Sequence, residues 1–401
     1  MVTPCSKLWT DISLNVNKKE VVNCTERRQI DNPSLEEISS SEFWHSRKET
    51  VDAKSHWLSN GSFPKGCEAC SLHHPNGLYT VRNKWFGLEP DFSKDHTQYI
   101  EIQLGTKCNQ TCMYCNAECS SLWAKKLGVP YTEPDEQWKE AALNGLYKHV
   151  EENMHDKEVV TYNFLGGETL IIDDFLDVVE RFAYIHNERQ QKCVMHFISN
   201  LNVGPAVVQK FIDLCQSYPQ VEFDLNASIE NLGERAEAVR EGLNFSRLEY
   251  NLNWLASEPH ISKIGCLPTM NALSISDHTN FLLWVMRTIS QHRKLEDCGK
   301  TWTMGLNVIK EPKAMHPGIL PEHYTSYMDN AINLISEVSI PQKETYASHL
   351  SNIRNQIGTR RNKDYLDRAY RWYKKQEKLH NRDYWKIFPE LNDIFFKINA
   401  F

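Results

Sequence analysis

A cysteine-bearing loop after a strand-like segment constrains this chain more than any other feature. The segment Tyr99–Leu104 is followed by Cys108, Cys112 and Cys115 at a C-x3-C-x2-C spacing. Cysteine thiolates are the usual ligands of a 4Fe–4S cluster, and three of them can hold three irons and leave the fourth open. Zinc also takes clustered cysteines, but a structural zinc site needs four ligands, and the nearest spare thiol is Cys119. The loop therefore favours an iron–sulfur cluster over zinc.

Charge and hydropathy exclude several classes of protein. The chain has 401 residues, a formal net charge of −7 and a pI near 6.2, which argues against a broad nucleic-acid surface. The N-terminus lacks the apolar core of a signal peptide, and the longest apolar run, Phe281–Met286, is too short to span a bilayer. We therefore expect a cytoplasmic protein that binds neither membrane nor nucleic acid.

The cysteine count fits metal binding better than a disulfide framework. Twelve cysteines in a reducing compartment are poor candidates for disulfides, so those that cluster are read as ligands. The isolated ones are expected to be small buried apolar side chains: Cys193, Cys215, Cys266 and Cys298.

Strand-like and helix-like segments alternate from residue 99 onward. The predicted strands are 99–104, 159–165, 194–198, 221–228, 248–252, 265–273 and 301–308. Helical patterns lie between them at 138–150, 175–182, 205–215, 234–243 and 277–289. This alternation predicts an α/β fold of βαβ units with a parallel sheet. About six repeats fit a partial (β/α)6-type barrel, and an open doubly wound sheet is the alternative.

Polar groups follow three of these strands, where ligands gather in parallel α/β folds. They are Gly166-Gly167-Glu168, Ser199-Asn200 and Ser228-Ile229-Glu230. A glycine pair lets backbone approach a ligand closely, and Glu168 supplies an anionic acceptor for a ligand ammonium. A plain turn is the alternative for Gly-Gly-Glu alone.

The N-terminal region has few regular patterns but four thiols: Cys5, Cys24, Cys67 and Cys70. Four thiolates are enough to fill one closed 4Fe–4S cluster or one zinc site. The C-x2-C pair formed by Cys67 and Cys70 is the stronger part of this signal. The residues themselves leave iron–sulfur and zinc open.

Two arrangements resemble parts of known radical S-adenosylmethionine (SAM) enzymes. The C-x3-C-x2-C spacing, with Tyr114 just before the last cysteine, resembles their cluster loop. The N-terminal thiols, with Leu8-Trp9 close behind Cys5, resemble the SPASM and twitch modules that bind auxiliary clusters. Those modules usually follow the barrel, whereas here the match precedes it.

The resemblance implies roles for individual residues. It makes Cys108, Cys112 and Cys115 the cluster ligands and places Tyr114 against the adenine of SAM. Further positions match those that bind the amino group, the ribose, the carboxylate and a third-strand contact: Gly166, Gly167, Glu168, Ser228, Arg240 and Asn200. The chain departs from the pattern at Glu230, where Asp followed by Gly is common, and at Thr169, which replaces a common Pro.

The implied activity is reductive cleavage of SAM to a 5′-deoxyadenosyl radical, which abstracts hydrogen from a peptide or small molecule. The implied cofactors are SAM, a 4Fe–4S cluster and a second, auxiliary 4Fe–4S cluster, with a flavodoxin or ferredoxin as electron donor. We expect a SPASM/twitch-like module at 1–90, a radical SAM partial barrel at 91–315 and a helical extension at 316–401. The alternative is a non-catalytic iron–sulfur or zinc protein with a redox or scaffold role.

Overall fold

The computed structural model describes residue 5 and residues 7–24, 32–67, 97–153 and 159–395. The chain forms two compact units. The first comprises residues 1–107, 130–197 and 216–222, and the second comprises residues 108–129, 198–215 and 223–401.

The strands and helices are numbered in chain order. The strands are β1 (Asp11–Asn15), β2 (Glu20–Val22), β3 (Tyr99–Gln103), β4 (Thr111–Cys112), β5 (Val160–Leu165), β6 (Cys193–Ser199), β7 (Val221–Ala227), β8 (Arg240–Glu241), β9 (Lys263–Cys266), β10 (Thr269–Met270), β11 (Trp302–Met304) and β12 (Asn307–Val308). The helices are α1 (Lys7–Thr10), α2 (Leu35–Ile38), α3 (Ser41–His45), α4 (Lys48–Asn60), α5 (Ser121–Leu127), α6 (Glu136–Asn153), α7 (Phe175–Glu188), α8 (Pro205–Ser217), α9 (Gly233–Val239), α10 (Phe245–Ser257), α11 (His278–Ser290), α12 (Thr325–Glu337), α13 (Lys343–Arg354), α14 (Lys363–His380), α15 (Tyr384–Ile387) and α16 (Glu390–Phe395).

The first unit contains a mostly parallel sheet in which β1, β3, β5 and β6 pair in that order. All three of these pairings are parallel, and β2 adds to β1 in the antiparallel sense. Side chains alternate across the sheet as strand geometry requires. One face is apolar and fully buried, with residues such as Ile102 and Phe164, and its aromatic side chains contact α7. The other face is mostly half-buried; it is mainly polar on β1 and β3 but also carries apolar side chains on β5 and β6, namely Leu165, Val194 and Ile198.

The second unit carries a parallel set of three strands, β7, β9 and β11. Two short pairs accompany it: β10 with β12, which is parallel, and β4 with β8, which is antiparallel. Helices α12 to α16 lie in the described residues from 325 to 395, as the sequence predicts for a helical C-terminal segment.

Most of the predicted elements are confirmed. The strands expected at 99–104, 159–165, 194–198 and 221–228 are β3, β5, β6 and β7, and helices α6, α7, α8 and α11 also form where expected. The four-residue stripe of α6 is buried: Trp138, Ala142, Leu146 and Val150. Among the isolated cysteines, Cys193, Cys215 and Cys266 are buried, whereas Cys298 is half-buried.

Some element predictions are wrong. Residues 248–252 form part of helix α10 rather than a strand, because Leu248, Leu252 and Leu255 share one buried helical face. Asn244 begins that helix by accepting a hydrogen bond from the Arg247 backbone N–H at 2.8 Å. The helix predicted at 234–243 ends at Val239, and strand β8 begins at Arg240.

Two predicted strands are each broken into two shorter ones. The strand expected at 265–273 becomes β9 and β10, which are separated by Leu267 and Pro268. Proline has no backbone N–H to donate to a sheet, so a long continuous strand is disfavoured here. The strand expected at 301–308 likewise becomes β11 and β12.

The N-terminal region contributes strands to the sheet of the first unit. Strand β1 pairs in parallel with β3 over its whole length, from Asp11 opposite Tyr99 to Asn15 opposite Gln103. The sequence shows few patterns here, and the structure adds a capping box between Ser34 and Glu37 at the start of α2. The domain boundaries stay a prediction. Within the described residues, no helix is long and apolar enough to cross a membrane.

Replacing Phe164 by Ala should lower the free energy of unfolding by about 3–5 kcal/mol. Its ring is fully buried, stacks on Phe197 at 5.3 Å between centroids and meets the Phe175 ring edge-on at 5.5 Å. Tyr184→Ala on α7 is the control, because the Tyr184 ring is 45% exposed. Its loss should lower the free energy of unfolding by less than about 1 kcal/mol. Urea unfolding measures both, and equal losses would contradict this packing.

Candidate functional site

The cysteine loop is held in place by main-chain contacts around Cys112. Strand β4 pairs with β8 so that Cys112 lies opposite Arg240. The Met113 N–H donates to the Val239 carbonyl at 2.8 Å, and the Trp123 indole N–H donates to the Cys112 carbonyl at 2.9 Å. These bonds fix the middle cysteine of the motif.

The three predicted ligand thiols lie close enough to affect one another electrostatically. Burial raises the pKa of Cys112 to about 12, the Arg240 charge opposes this, and the neighbouring Cys108 adds to it. The pKa of Cys115 is raised by a hydrogen bond with Cys119, by burial and by Cys112. Without a bound cation the thiols of Cys112 and Cys115 are therefore neutral, and metal binding must release their protons.

The surroundings of Cys112, including one buried atom without a hydrogen-bond partner, show whether the three cysteines fit a cluster. Among the described residues, no group of three His, Cys, Asp or Glu side chains is already arranged around a metal position. Cys112 Sγ–H donates to Gln110 Oε1 at 3.5 Å, while the buried Gln110 Nε2 has no hydrogen-bond partner in the described chain. A 180° rotation of the Gln110 side-chain amide would exchange its nitrogen and oxygen. Nε2 could then donate a hydrogen bond to the Cys112 sulfur once that thiol is a thiolate. The residues thus fit an anionic, metal-bound sulfur at Cys112.

A buried ionic network lies beside the loop. The Glu230 carboxylate accepts from Arg240 Nη2 at 2.7 Å and from Arg240 Nε at 3.1 Å, and both side chains are at most 7% exposed. The Tyr114 hydroxyl donates to the same carboxylate at 3.2 Å. Arg240 also lies 5.4 Å from the centre of the Tyr114 ring. Burial raises the pKa of Tyr114 well above its usual value, so this hydroxyl remains protonated.

Asparagine side chains connect the cysteine loop to the segment after β6. Asn200 Nδ2 donates to Asn109 Oδ1 at 2.8 Å, and Asn109 Nδ2 donates to the Asn202 carbonyl at 2.8 Å. Asn202 Nδ2 in turn donates to the Gly242 carbonyl at 2.7 Å. Gly242 has a φ of +96°, and a Cβ there would lie 2.7 Å from the Asn109 carbonyl oxygen, so a glycine is required.

The structure brings together most of the predicted site residues of the second unit. Cys108, Cys112, Cys115, Tyr114 and Arg240 meet at the loop and β8, and Asn200 reaches the loop through Asn109. Ser228 is half-buried, and its backbone N–H donates to the Ser199 carbonyl at 2.7 Å. The sequence analysis does not identify Asn109 or Asn202, and it includes Glu230 only as a strand-end group and as a departure from the family pattern. The signal for Asn109 and Asn202 was the density of Asn beside the loop and after β6.

The Gly-Gly-Glu segment lies in the first unit against residues 105–107. A Cβ on Gly167 would lie 2.3 Å from the Lys107 carbonyl oxygen, and one on Gly166 would lie 2.6 Å from that of Gly105. The Glu168 N–H donates to the Lys107 carbonyl at 2.8 Å. The Glu168 side chain is 2% exposed, and its Oε1 accepts from the Leu170 N–H at 3.2 Å. The glycine pair thus has a packing role in addition to any ligand role.

Three of the four N-terminal thiols share one neighbourhood. Burial raises the pKa of Cys5 to about 12, with added contributions from Cys24 and Cys67. Cys5 and Cys67 both pack against a small core made by Leu8, Trp9, Ala53 and Trp57. Cys70 lies outside the described residues.

The chain matches no known protein-family model and no curated protein sequence. Seven chains of solved structures match it, including the crystal structure of Streptococcus suis SuiB. That match has 13% sequence identity and a TM-score of 0.28, and it covers 75% of this chain and 70% of the other. A match with so low an identity and TM-score assigns neither a family nor a function to this chain.

Single replacement of Arg240 or Glu230 by Ala should lower the free energy of unfolding by about 3–5 kcal/mol each, because the remaining charge would be buried without its partner. The double variant should lose less than the sum of the single losses. Arg354→Ala is the control: its pair with Asp329 is partly exposed and should contribute no more than about 1 kcal/mol. Urea unfolding decides, and additive losses would show that the pair is not coupled.

Proposed function

We propose that this chain is a radical SAM enzyme. Cys108, Cys112 and Cys115 would hold the 4Fe–4S cluster, and the substrate would be a peptide or a small molecule. The observation that carries the proposal is the meeting of these three thiols with Tyr114 and Arg240 around the β4–β8 pair. When bound, such a cluster supplies the electron that cleaves SAM to methionine and the 5′-deoxyadenosyl radical.

The residues next to the loop are suited to bind the polar parts of SAM. Tyr114 is held by Glu230 and Arg240, so its ring has a fixed orientation for an adenine to lie against. Arg240 provides the positive charge for the SAM carboxylate, and Ser228 and Asn200 add polar groups. Because Glu230 already neutralises Arg240 in a buried pair, carboxylate binding would share that guanidinium rather than meet an unpaired charge.

Glu168 would accept a hydrogen bond from the SAM ammonium. Its backbone is fixed by the contact with Lys107, and the glycine pair before it allows the close approach to residues 105–107. Burial strengthens a charge-assisted hydrogen bond at this carboxylate, because little water competes for it.

An auxiliary 4Fe–4S cluster on the N-terminal thiols is part of the proposal. Cys5, Cys24 and Cys67 lie in one neighbourhood, and Cys70 follows Cys67 by three positions, so the fourth thiol is close in sequence. A cluster closed by four thiolates has no open iron for SAM, which gives it an electron-relay or structural role. Zinc is the competing occupant. A cytoplasmic flavodoxin or ferredoxin would donate the electron.

The second candidate is a non-catalytic zinc or iron–sulfur protein. Cys119 forms a hydrogen bond with Cys115, and it would be the fourth thiol of a zinc site made by four cysteines. The two candidates differ in their need for Cys119: a cluster that binds SAM leaves one iron without a protein ligand.

Replacing Cys108, Cys112 and Cys115 together by Ala should abolish formation of 5′-deoxyadenosine and leave the protein folded. Anaerobically reconstituted wild type should carry about eight irons per chain, and the triple variant about four. Dithionite-driven 5′-deoxyadenosine assays and iron and zinc analysis measure these outcomes. The matched control is Cys119→Ala, which should keep both iron and activity. Zinc in place of iron, lost when Cys119 is replaced, would support the second candidate instead.

Glu168→Ala should weaken SAM binding by more than about tenfold, since a charge-assisted hydrogen bond contributes about 1.5–3 kcal/mol. The absorbance of the cluster should be unchanged. Asp173→Ala is the control: this acid lies in the same segment, but its side chain is 89% exposed and pairs with Lys107. Equilibrium binding of SAM measures both variants, and an unchanged dissociation constant for Glu168→Ala would place the ammonium elsewhere.

A further inference from the structure

The polar face of the first unit's sheet carries a row of hydrogen-bonding side chains across three parallel strands. Ser13 on β1 lies opposite Glu101 on β3, and Glu101 lies opposite Asn163 on β5. All three side chains are half-buried. The neighbouring residues on the same strands, such as Ile102 and Phe164, are fully buried on the apolar face.

Glu101 is the centre of this row. Its Oε1 accepts from the Ser13 hydroxyl at 2.9 Å, and its Oε2 accepts from Asn163 Nδ2 at 3.3 Å. Each oxygen therefore has one donor and keeps acceptor capacity for another. Within the described residues Glu101 has no Lys, Arg or His within ion-pair distance. A half-buried carboxylate oriented by two neutral donors, with no basic partner, is suited to bind a cation.

The charged groups nearest to Glu101 do not neutralise it. Burial raises the pKa of Asp11, and the ion pair with Lys7 opposes this rise. The negative charge of Glu101 lies near enough to raise the pKa of Asp11 further. Tyr99, at the start of β3, has a pKa raised by burial and then by Glu101 and Asp11 together. Lys7 is occupied by its buried pair with Asp11. Because Lys7 neutralises Asp11, the negative charge of Glu101 is the one that these neighbours leave unpaired.

The next row along the strands offers neutral hydrogen-bonding groups. Asn15 Nδ2 donates to Gln103 Oε1 at 3.0 Å, and the two residues are direct neighbours across β1 and β3. The Gln103 amide nitrogen keeps its N–H groups for an acceptor, because no described residue accepts from it. A ligand on this face would thus meet one carboxylate and, beside it, a carboxamide donor.

We propose that Glu101 binds a primary ammonium group of the substrate, with Gln103 donating to an adjacent carbonyl or hydroxyl. This restricts the substrate class to amine-bearing peptides or small molecules. That the bound amine is the substrate rests on the proposed function, whereas binding of an amine at Glu101 does not.

The test compares two probes that differ only in the ammonium group: N-acetyl-lysine methylamide and N-acetyl-norleucine methylamide. Ligand-observed NMR titration of the anaerobically reconstituted full chain gives the two dissociation constants. The wild type should bind the lysine probe at least about tenfold more tightly, the ratio expected for a charge-assisted hydrogen bond. Glu101→Gln should abolish the preference.

Control variants separate this effect from a general change in the protein. Glu140→Gln removes an exposed acid from α6 in the same unit and should keep the wild-type preference. Glu101→Asp keeps the charge but withdraws it by one methylene, so it should fold like the wild type and retain only part of the preference. Equal or absent binding of both probes by the wild type, or an unchanged preference in Glu101→Gln, would overturn the proposal.

Iron analysis of the same samples distinguishes the two hypotheses. Protein that carries no iron but prefers the lysine probe contradicts the proposed function and leaves amine binding at Glu101 intact. Protein that carries iron, cleaves SAM and lacks the preference contradicts the assignment of Glu101 alone.

Discussion

The pairing of β4 with β8 is the constraint on which the candidate site depends. It places Cys112 opposite Arg240, so the middle thiol of the motif and the buried Arg240–Glu230 pair are fixed by the same two-residue ladder. A short ladder alone is weak, but the indole of Trp123 and the glycine turn at Gly242 support it from either side. The ionic pair then orients Tyr114, and the asparagine contacts fix the start of the loop.

The sequence indicates the candidate residues more readily than the contacts that hold them in place. The cysteine spacing, the polar strand ends and most strands of the sheets follow from local patterns of apolar residues, turns and thiols. Local patterns do not predict which residues pair with one another. Glu230 and Arg240, for example, meet only because the helix between them ends at Val239. The sequence predicts a strand within helix α10 because a five-residue apolar window cannot distinguish the periodicity of a helix from that of a strand. Strand β1 was missed because its parallel partner lies 88 residues away.

Glycines illustrate why a motif and a packing need are hard to separate from sequence. Gly166 and Gly167 match a ligand-binding motif, yet both are also required by the backbone of residues 105–107. The loop thiols are equally hard to assign, because their hydrogen bonds and burial are compatible with either iron or zinc. What distinguishes the candidates is the number of ligands that the protein supplies, since a SAM-binding cluster needs one iron without a protein ligand.

Electron paramagnetic resonance of the reduced protein, with and without SAM carrying a ¹⁷O-labelled carboxylate, tests the central claim most directly. A cluster on Cys108, Cys112 and Cys115 with one open iron predicts a reduced-cluster signal that changes when SAM is added and shows hyperfine coupling to the labelled oxygen. A signal that SAM leaves unchanged, or reduced protein with no iron–sulfur signal, would contradict the account.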